Sequence, residues 1–244
     1  MHVRLLHLVT LYCCLATAAA SGQEIPKNDG KPVVVGKSVE GRTIECSVYG
    51  EGEDVFLLIA TIHGNEPSGT PLVAKFVEWL EANPSELEGR QVVIVPVANP
   101  DGMAADTRHN SRGVDLNRNF PSGNWSGDQE KPHGETPLSE PESRVLMILV
   151  SHFFPDRVVS IHQPLVCVDY DGPAAGLAEA MAAECPLPVK KLGSRPGSLG
   201  SFVGVTLGKP IITFEMPKDA GMDGERLWET YGGALVAALR YDGD

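Results

Sequence analysis

Apolar and polar positions follow one another along this chain in blocks that predict strands and helices in turn. Short, almost wholly apolar runs predict buried strands. The clearest of these runs are 55–60 (VFLLIA), 91–97 (QVVIVPV), 157–161 (RVVSI) and 211–214 (IITF). Shorter strands are predicted at 33–36, 43–49 and 166–170. Apolar residues at helical spacing predict helices near 69–82, 139–151, 173–184 and 224–240.

The alternation of buried strands with helices indicates the fold class. Strands that are apolar on both sides are typical of a sheet covered on both faces. We therefore predict an α/β fold, a single domain with a mixed, mainly parallel β-sheet flanked by helices on both faces. Ser139 and Glu142 stand at capping-box spacing at the start of one helix. The stretch 103–137 has almost no periodicity, and an irregular run of this length inside a domain is usually functional.

The first residues depart from this pattern and predict a secretory signal peptide over 1–20. After a basic residue, 5–15 is largely apolar, and 16–20 (ATAAA) has the small residues of a cleavage site. The apolar run is too short to span a bilayer comfortably, so no membrane attachment is expected after cleavage. A flexible lead-in is predicted over 21–32, and the folded domain over 33–244. An export signal predicts a periplasmic or secreted protein.

Composition and charge limit the partners of the chain. Its 244 residues suit one α/β domain, and 32 acidic against 20 basic residues give a formal net charge of -12. Nucleic acid is not an expected partner, because the basic footprint that such binding needs is missing. Three cysteines remain after signal cleavage, and pairing of Cys167 with Cys185 stays open. A monomer and a small homo-oligomer both stay open.

Side chains capable of metal or acid–base chemistry follow three of the clearest apolar runs. His63 and Glu66 follow one run, and His162 and Glu215 each follow another. Each residue alone has an ordinary structural explanation, such as a core histidine or a helix-capping glutamate. The carboxyl ends of parallel strands, however, meet at one edge of a sheet, where ligands bind. Two His and one Glu are a known catalytic zinc set, so we expect all four around one cleft.

Several further motifs follow in a fixed order. They are Asn-Pro-Asp-Gly at 99–102, Gly-Val-Asp-Leu-Asn-Arg-Asn-Phe-Pro at 113–121 and Thr-Phe-Glu at 213–215. Together with His63-x-x-Glu66 and His162 they resemble the zinc carboxypeptidases of the carboxypeptidase A type. The match extends over roughly 33–244, which is therefore expected to be the catalytic domain. Within that family the chain looks most like the short bacterial murein peptide amidase branch. The motifs shared with this branch are SIHQP at 160–164, VDYDGP at 168–173 and RPGSLG at 195–200.

The resemblance implies a metal centre and its catalytic partners. It implies one Zn²⁺ per chain, held by His63, Glu66 and His162 with a fourth position for water. Glu215 is expected to act as general base and then general acid. Arg108 is expected to stabilise the charge that develops on the attacked carbonyl.

The resemblance also implies how substrate binds. Asn117 and Arg118 are expected to bind a free α-carboxylate, to which the guanidinium fork is suited. The full set of expected substrate-binding residues is Asn117, Arg118, Arg112, Ser198 and Leu199. Arg112 competes with Arg108 for the oxyanion role, and Asp115 is expected to orient the loop rather than to react. Lys190, Lys191 and Arg195 can meet a second carboxylate or can simply be solvated surface charges.

Two departures from the larger digestive enzymes change the expected specificity. Asn65 stands where those enzymes carry a second arginine, and 190–202 contains no substrate-capping tyrosine. The preference of the digestive enzymes is therefore not carried over to this chain. The resemblance to the murein peptide amidase branch implies a zinc hydrolase that cleaves an amide next to a free carboxylate, namely the γ-D-glutamyl–meso-diaminopimelate bond of murein peptides. An N-acyl amino acid deacylase of the aspartoacylase or succinylglutamate desuccinylase type and a zinc carboxypeptidase for ordinary peptides stay open. A binding module without catalysis is disfavoured by the intact Glu215.

Overall fold

A single eight-stranded sheet organises the part of the chain that the structure describes. The structure is a computed structural model that describes residues 29–127 and 132–243. The predicted signal peptide and most of the predicted lead-in lie outside the described residues. Along the sheet the strand order is β1-β2-β4-β3-β5-β8-β6-β7. The strands are β1 Val33–Lys37, β2 Thr43–Tyr49, β3 Asp54–Ala60, β4 Arg90–Val95, β5 Arg157–His162, β6 Cys167–Asp171, β7 Val189–Lys190 and β8 Ile211–Glu215.

Five α-helices and three shorter helical turns connect these strands within the described residues. The helices are α1 Gly69–Ala82, α2 Pro100–Ala105, α3 Pro141–Phe153, α4 Ala175–Ala183 and α5 Gly224–Arg240. The turns are 3₁₀ turns at Pro84–Leu87 and Leu116–Arg118 and a π-helical turn at Ser201–Thr206. No described helix has the length and apolar character needed to cross a membrane.

The four central strands of the sheet are parallel to one another, and the outer strands include both parallel and antiparallel pairs. Strands β4, β3, β5 and β8 pair in parallel, while β2 and β6 pair with this block in the antiparallel sense. Helices cover both faces of the sheet. Phe56 and Leu58 of β3 pack with α1, α4 and α5, whereas Leu57 and Ile59 pack with α3 and the π-helical turn. The predicted mixed, mainly parallel α/β sheet with helices on both faces is confirmed.

The register of the parallel strands determines where the polar residues at their ends lie. Ala60 is paired with Ile161, and His162 is paired directly with Glu215. Paired residues on neighbouring strands point to the same face of the sheet, so these two side chains are neighbours. His63 lies only three positions after Ala60, the last residue of β3. The carboxyl ends of three buried strands therefore meet at one edge, as the sequence predicts.

Two helix starts differ from the sequence prediction. The Asn-Pro-Asp-Gly motif at 99–102 begins the short helix α2, for which the sequence pattern predicts no helix. Its Asn99 side chain accepts a hydrogen bond from the Gly102 backbone N–H at 2.9 Å, and Pro100 suits the first helical position. The capping box predicted for Ser139 and Glu142 is wrong, because α3 begins at Pro141 and Glu142 instead accepts from the Val39 backbone N–H at 3.1 Å.

Candidate active site

His63, Glu66 and His162 come together at the edge where the parallel strands end. The Glu66 carboxylate lies 2.8 Å from Nδ1 of His63 and 2.9 Å from Nδ1 of His162. The two Nδ1 atoms lie 3.1 Å apart. All three side chains are buried, and one ligand atom from each lies within 4.8 Å of the others. Two imidazole nitrogens and a carboxylate thus converge on one point.

The turn after β3 is shaped by contacts that hold His63 in place. A Cβ at Gly64 would lie 1.9 Å from the backbone carbon of Gly102, so only glycine allows the two backbones to approach this closely. The Asn99 side chain donates to the backbone carbonyl of Ile62 at 3.2 Å. The Asn-Pro-Asp-Gly motif therefore packs against the turn that carries His63 and Glu66.

The outer nitrogen of each imidazole has its own hydrogen-bond partner. Nε2 of His63 lies 3.1 Å from Oδ1 of Asp115, and Nε2 of His162 lies 3.0 Å from Oγ of Ser160. Burial raises the pKa of Asp115, but the hydrogen bond with His63 and the charge of Arg108 lower it well below its usual value. An ionised Asp115 can only accept, so His63 donates from Nε2 and keeps its Nδ1 lone pair for a metal.

The charge state of Glu66 also suits a metal ligand. Burial raises the pKa of Glu66, but hydrogen bonds with His162 and His63 outweigh burial and lower the pKa well below its usual value. A buried, ionised carboxylate beside two inward-facing imidazole nitrogens is the chemistry that Zn²⁺ ligation requires. The residues present therefore fit a zinc ion.

The contact between Asp115 and His63 gives a first testable prediction. Asp115→Asn is expected to lower zinc affinity about 10- to 100-fold, because an amide holds the His63 tautomer and ring orientation less firmly than a carboxylate. Competition with a metal chelator measures the change. Asp106→Asn is the matched control, since Asp106 is exposed and its left-handed backbone (φ 51) suits asparagine. Equal zinc affinity in the two variants would contradict a supporting role for Asp115.

Glu215 lies in the same cleft as the three metal-capable residues. Its side chain is buried, and Oε2 accepts a hydrogen bond from the Leu165 backbone N–H at 3.2 Å. Burial raises the pKa of Glu215, an effect that the nearby His162 partly offsets. A carboxylate with a raised pKa is suited to accept and return a proton near neutral pH.

Two arginines compete for the oxyanion role, and the structure separates them. Arg108 lines the cleft, with Nη1 3.1 Å from Oε1 of Glu66 and Nε 3.0 Å from Oδ2 of Asp115. Arg112 does not line the cleft. Its guanidinium lies 3.6 Å from Glu140, and its side chain is 56% exposed. The geometry therefore favours Arg108 for the oxyanion role, and the substrate contact of Arg112 stays a prediction that the lining of the cleft does not support.

Asn117 and Arg118 line the cleft next to Arg108. Oδ1 of Asn117 accepts from the Leu199 backbone N–H at 2.9 Å, which directs the amide nitrogen towards other partners. Burial lowers the pKa of Arg118, and the charges of Arg108 and Arg195 lower it further. A partly desolvated guanidinium among other cations favours a bound carboxylate.

The two residues predicted from the Arg-Pro-Gly-Ser-Leu-Gly motif have different positions. Ser198 lines the cleft, as predicted, and its Oγ accepts from the Ser201 backbone N–H at 2.9 Å. Leu199 is 1% exposed and packs in the apolar core, so its side chain does not reach a substrate. The substrate contact predicted for Leu199 is therefore not supported by its side chain, although its backbone amide contacts Asn117, which lines the cleft.

Sequence reasoning missed part of the cleft, which has a volume of about 280 Å³. Asp169 and Asp171 of β6 and Gln163 line it as well. The Gln163 backbone N–H donates to Oε2 of Glu66 at 3.1 Å. The alternation of Asp169, Tyr170 and Asp171 was the available signal, since every second residue of a strand faces the same side.

Comparison with known proteins identifies the family. The sequence profile of the family described as Zinc carboxypeptidase matches residues 27–168. The chain belongs to the zinc carboxypeptidase family. Murein peptide amidase A of Escherichia coli K12 is a relative with 35% identity over 201 residues, which is 76% of this chain and 79% of the relative.

Solved structures of the zinc carboxypeptidase family agree with the observed fold. The crystal structure of murein-tripeptide amidase MpaA from Escherichia coli O157 has a TM-score of 0.66 and 26% identity, and the match covers 88% of this chain and 95% of that one. Carboxypeptidase A from Helicoverpa armigera has a TM-score of 0.69 at 20% identity over 88% of this chain and 70% of that one, which shows a shared fold. This zinc carboxypeptidase is therefore a zinc-dependent enzyme that hydrolyses amide bonds. The individual roles of its site residues stay predictions.

Proposed function

We propose that this zinc carboxypeptidase releases meso-diaminopimelate from murein peptides by cleaving its bond to γ-D-glutamate. The observation that carries the proposal is the position of Glu215 in one cleft with His63, Glu66 and His162, whose ligand atoms lie within 4.8 Å of one another. The likeness to murein peptide amidases supports murein peptides as the substrate class. The predicted signal peptide at 1–20 supports action outside the cytoplasm, in the periplasm or beyond it.

The side chains of the cleft have separate roles in the reaction. His63, Glu66 and His162 would hold Zn²⁺, which polarises a carbonyl and lowers the pKa of water when it is bound. Glu215 takes a proton from the attacking water and returns it to the leaving amine. Arg108 donates to the carbonyl oxygen as negative charge develops there, and donors of this kind each contribute about a hundredfold or more in rate.

Asn117 and Arg118 bind the free α-carboxylate of the residue that is released. Arg118 offers two parallel N–H donors, and Asn117 offers its amide nitrogen. Asp115 helps to hold Asn117 in place, because its Oδ1 accepts from the Asn117 backbone N–H at 2.9 Å. A substrate whose last residue has a free carboxylate is thereby fixed with its preceding amide at the metal site.

Release of free diaminopimelate from L-Ala-γ-D-Glu-meso-diaminopimelate tests the proposal. We expect zinc-loaded enzyme to hydrolyse this tripeptide at least about 100-fold more efficiently, by kcat/KM, than ordinary C-terminal peptides, because a matched site rejects analogues that leave its buried polar groups unpaired. N-acyl amino acids should not be hydrolysed. Chromatography of the released amino acids measures all three reactions. Hydrolysis of ordinary peptides alone would contradict the proposed substrate but would not contradict zinc-dependent amide hydrolysis.

A further inference from the structure

Asn110 is a buried residue of the irregular stretch that follows α2, and it is only 3% exposed. Its Oδ1 accepts from the backbone N–H groups of Arg112 and Val114, each at 3.1 Å. Its amide nitrogen donates to Oε2 of Glu140 at 2.7 Å and to Oε2 of Glu142 at 3.2 Å. An asparagine side chain offers two protons and two lone pairs on its oxygen. All four of these positions are therefore used.

The backbone of Asn110 closes the same turn. Its carbonyl accepts from the Gly113 N–H at 2.9 Å, and its N–H donates to the Val114 carbonyl at 3.0 Å. Gly113 has a φ of 76°, which glycine adopts without strain. The shape of the turn 110–114 therefore depends on hydrogen bonds that share Asn110.

Arg108 and Asp115 lie on either side of this turn and meet across its base, with Nε of Arg108 3.0 Å from Oδ2 of Asp115. Asp115 is also held from elsewhere, because its backbone N–H donates to the Pro132 carbonyl at 2.7 Å. The backbone carbonyl of Arg108 accepts only a long contact, 3.5 Å, from the Asn99 amide. A change in the turn would therefore move Arg108 more than Asp115.

Two carboxyl groups at the start of α3 anchor Asn110. Glu140 is 3% exposed and Glu142 is 0% exposed. The other oxygen of each group has its own donor, the Ser139 hydroxyl for Glu140 at 2.9 Å and the Val39 backbone N–H for Glu142 at 3.1 Å. Hydrogen bonds to carboxylates are stronger than those between neutral groups. Because α3 packs in the apolar core, the turn is tied to a firmly held helix.

We propose that Asn110 is a positioning residue for Arg108, which it holds in place by tying the turn 110–114 to the start of α3. The inference rests on the proposed function, in which Arg108 donates to the attacked carbonyl. Asn110 does not line the cleft, so it acts through Arg108 and not by touching the substrate. Misplacement of a reacting group by about 1 Å can cost about a hundredfold in rate.

A double-mutant cycle tests the inference on zinc-saturated enzyme with the diaminopimelate tripeptide. Asn110→Ala is expected to lower kcat about 10- to 100-fold. KM should change by less than about threefold, as for a group that acts only in the transition state. Arg108→Gln should lower kcat about a hundredfold or more. The two changes together should cost no more than about threefold beyond Arg108→Gln alone, because residues that act together are not additive. Losses that add in full would overturn the inference.

An exchange of partners tests the anchor itself. Glu142→Gln sets one amide against another, and it is expected to fold because burial raises the pKa of Glu142 and so favours an uncharged side chain. Asn110→Asp keeps the oxygen that accepts from the turn but loses both donated protons. Each change alone should lower kcat about threefold or more. Together they restore an amide–carboxylate hydrogen bond with its partners exchanged, so kcat should rise about threefold or more above that of Asn110→Asp. No recovery would overturn the inference.

Asn83→Ala is the matched control for the loss of an asparagine side chain. The Asn83 amide donates to the Trp79 carbonyl at 2.8 Å at the end of α1, and Asn83 does not line the cleft. This variant should lower Tm and keep the kcat of the unmodified enzyme. If Asn110→Ala also lowers Tm and keeps kcat, its role is structural and the inference is overturned.

The same measurements separate the inference from the proposed function. A large loss in Arg108→Gln with an unchanged kcat in Asn110→Ala would overturn the inference and leave the proposed function standing. An unchanged kcat in Arg108→Gln would overturn the oxyanion role of Arg108, and the inference with it. Failure of the unmodified enzyme to hydrolyse the tripeptide would overturn the proposed function itself.

Discussion

Glu215→Gln is expected to lower kcat on the diaminopimelate tripeptide by about 10²- to 10⁴-fold, the contribution that a positioned general acid–base group makes. Glutamine has nearly the same shape, and its side-chain oxygen can still accept from the Leu165 backbone N–H, which lies 3.2 Å from Oε2 of Glu215. It cannot accept a proton from water or return one to the leaving amine. Steady-state kinetics on zinc-loaded protein measures the loss.

Two measurements show whether Glu215 acts as the base. Metal analysis of Glu215→Gln should give the same zinc content as the unmodified enzyme, because Glu215 is not one of the three converging ligands. The control Glu229→Gln removes one negative charge from an exposed position of α5 and should keep full activity. Retained turnover in Glu215→Gln would identify another base, and a parallel loss of zinc would instead make Glu215 a ligand.

The buried elements of this fold are predictable because their patterns are unambiguous. Strand β3 is apolar on both faces, so 55–60 predicted it to within one residue of Asp54–Ala60. Helix α5 has the bounds that its amphipathic pattern predicts, 224–240. Strand β7 was missed because it has only two residues, both exposed, and exists through its pairing with β6. No periodicity within the chain can predict such an element.

The metal-capable residues could be predicted because each lies at the end of a buried strand or just after it, and parallel strands end at the same edge of a sheet. His162 lies beside Glu215 through the parallel register of β5 and β8 alone. The choice between Arg108 and Arg112 could not be made in this way, since both lie in an irregular stretch. Contacts with the rest of the fold separate them, since Arg108 contacts Glu66 in the cleft and the exposed Arg112 lies near Glu140.

The two aspartates that line the cleft, Asp169 and Asp171, were missed for a related reason. Their alternation indicates that they share one face of a strand, but the same alternation is typical of an exposed face and does not predict their burial. Their burial depends on the antiparallel pairing of β6 with β8 and on Gly200 and Gly204, which pack against Asp171. The acidic lining of the cleft therefore depends on tertiary contacts that no strand pattern predicts.

Removal of one metal ligand is expected to have an effect as large as removal of the base. In His162→Ala only two of the three converging ligands remain, and we expect zinc content to fall from about one per chain to below about a tenth. Activity should fall with the metal. The control is His152→Ala, because His152 is an exposed histidine on α3 and should keep zinc and activity.

Thermal unfolding separates loss of the metal from general damage to the fold. Zinc that binds only the folded state raises its stability, by about 2.7 kcal/mol at 100 times Kd. Tm of the chelator-treated enzyme should therefore rise when zinc is restored, and Tm of His162→Ala should not change. A His162→Ala protein that retains full zinc, with an unchanged rise in Tm, would show that the ion binds elsewhere. In that case the arrangement of His63, Glu66 and His162 would have to be explained by hydrogen bonding alone.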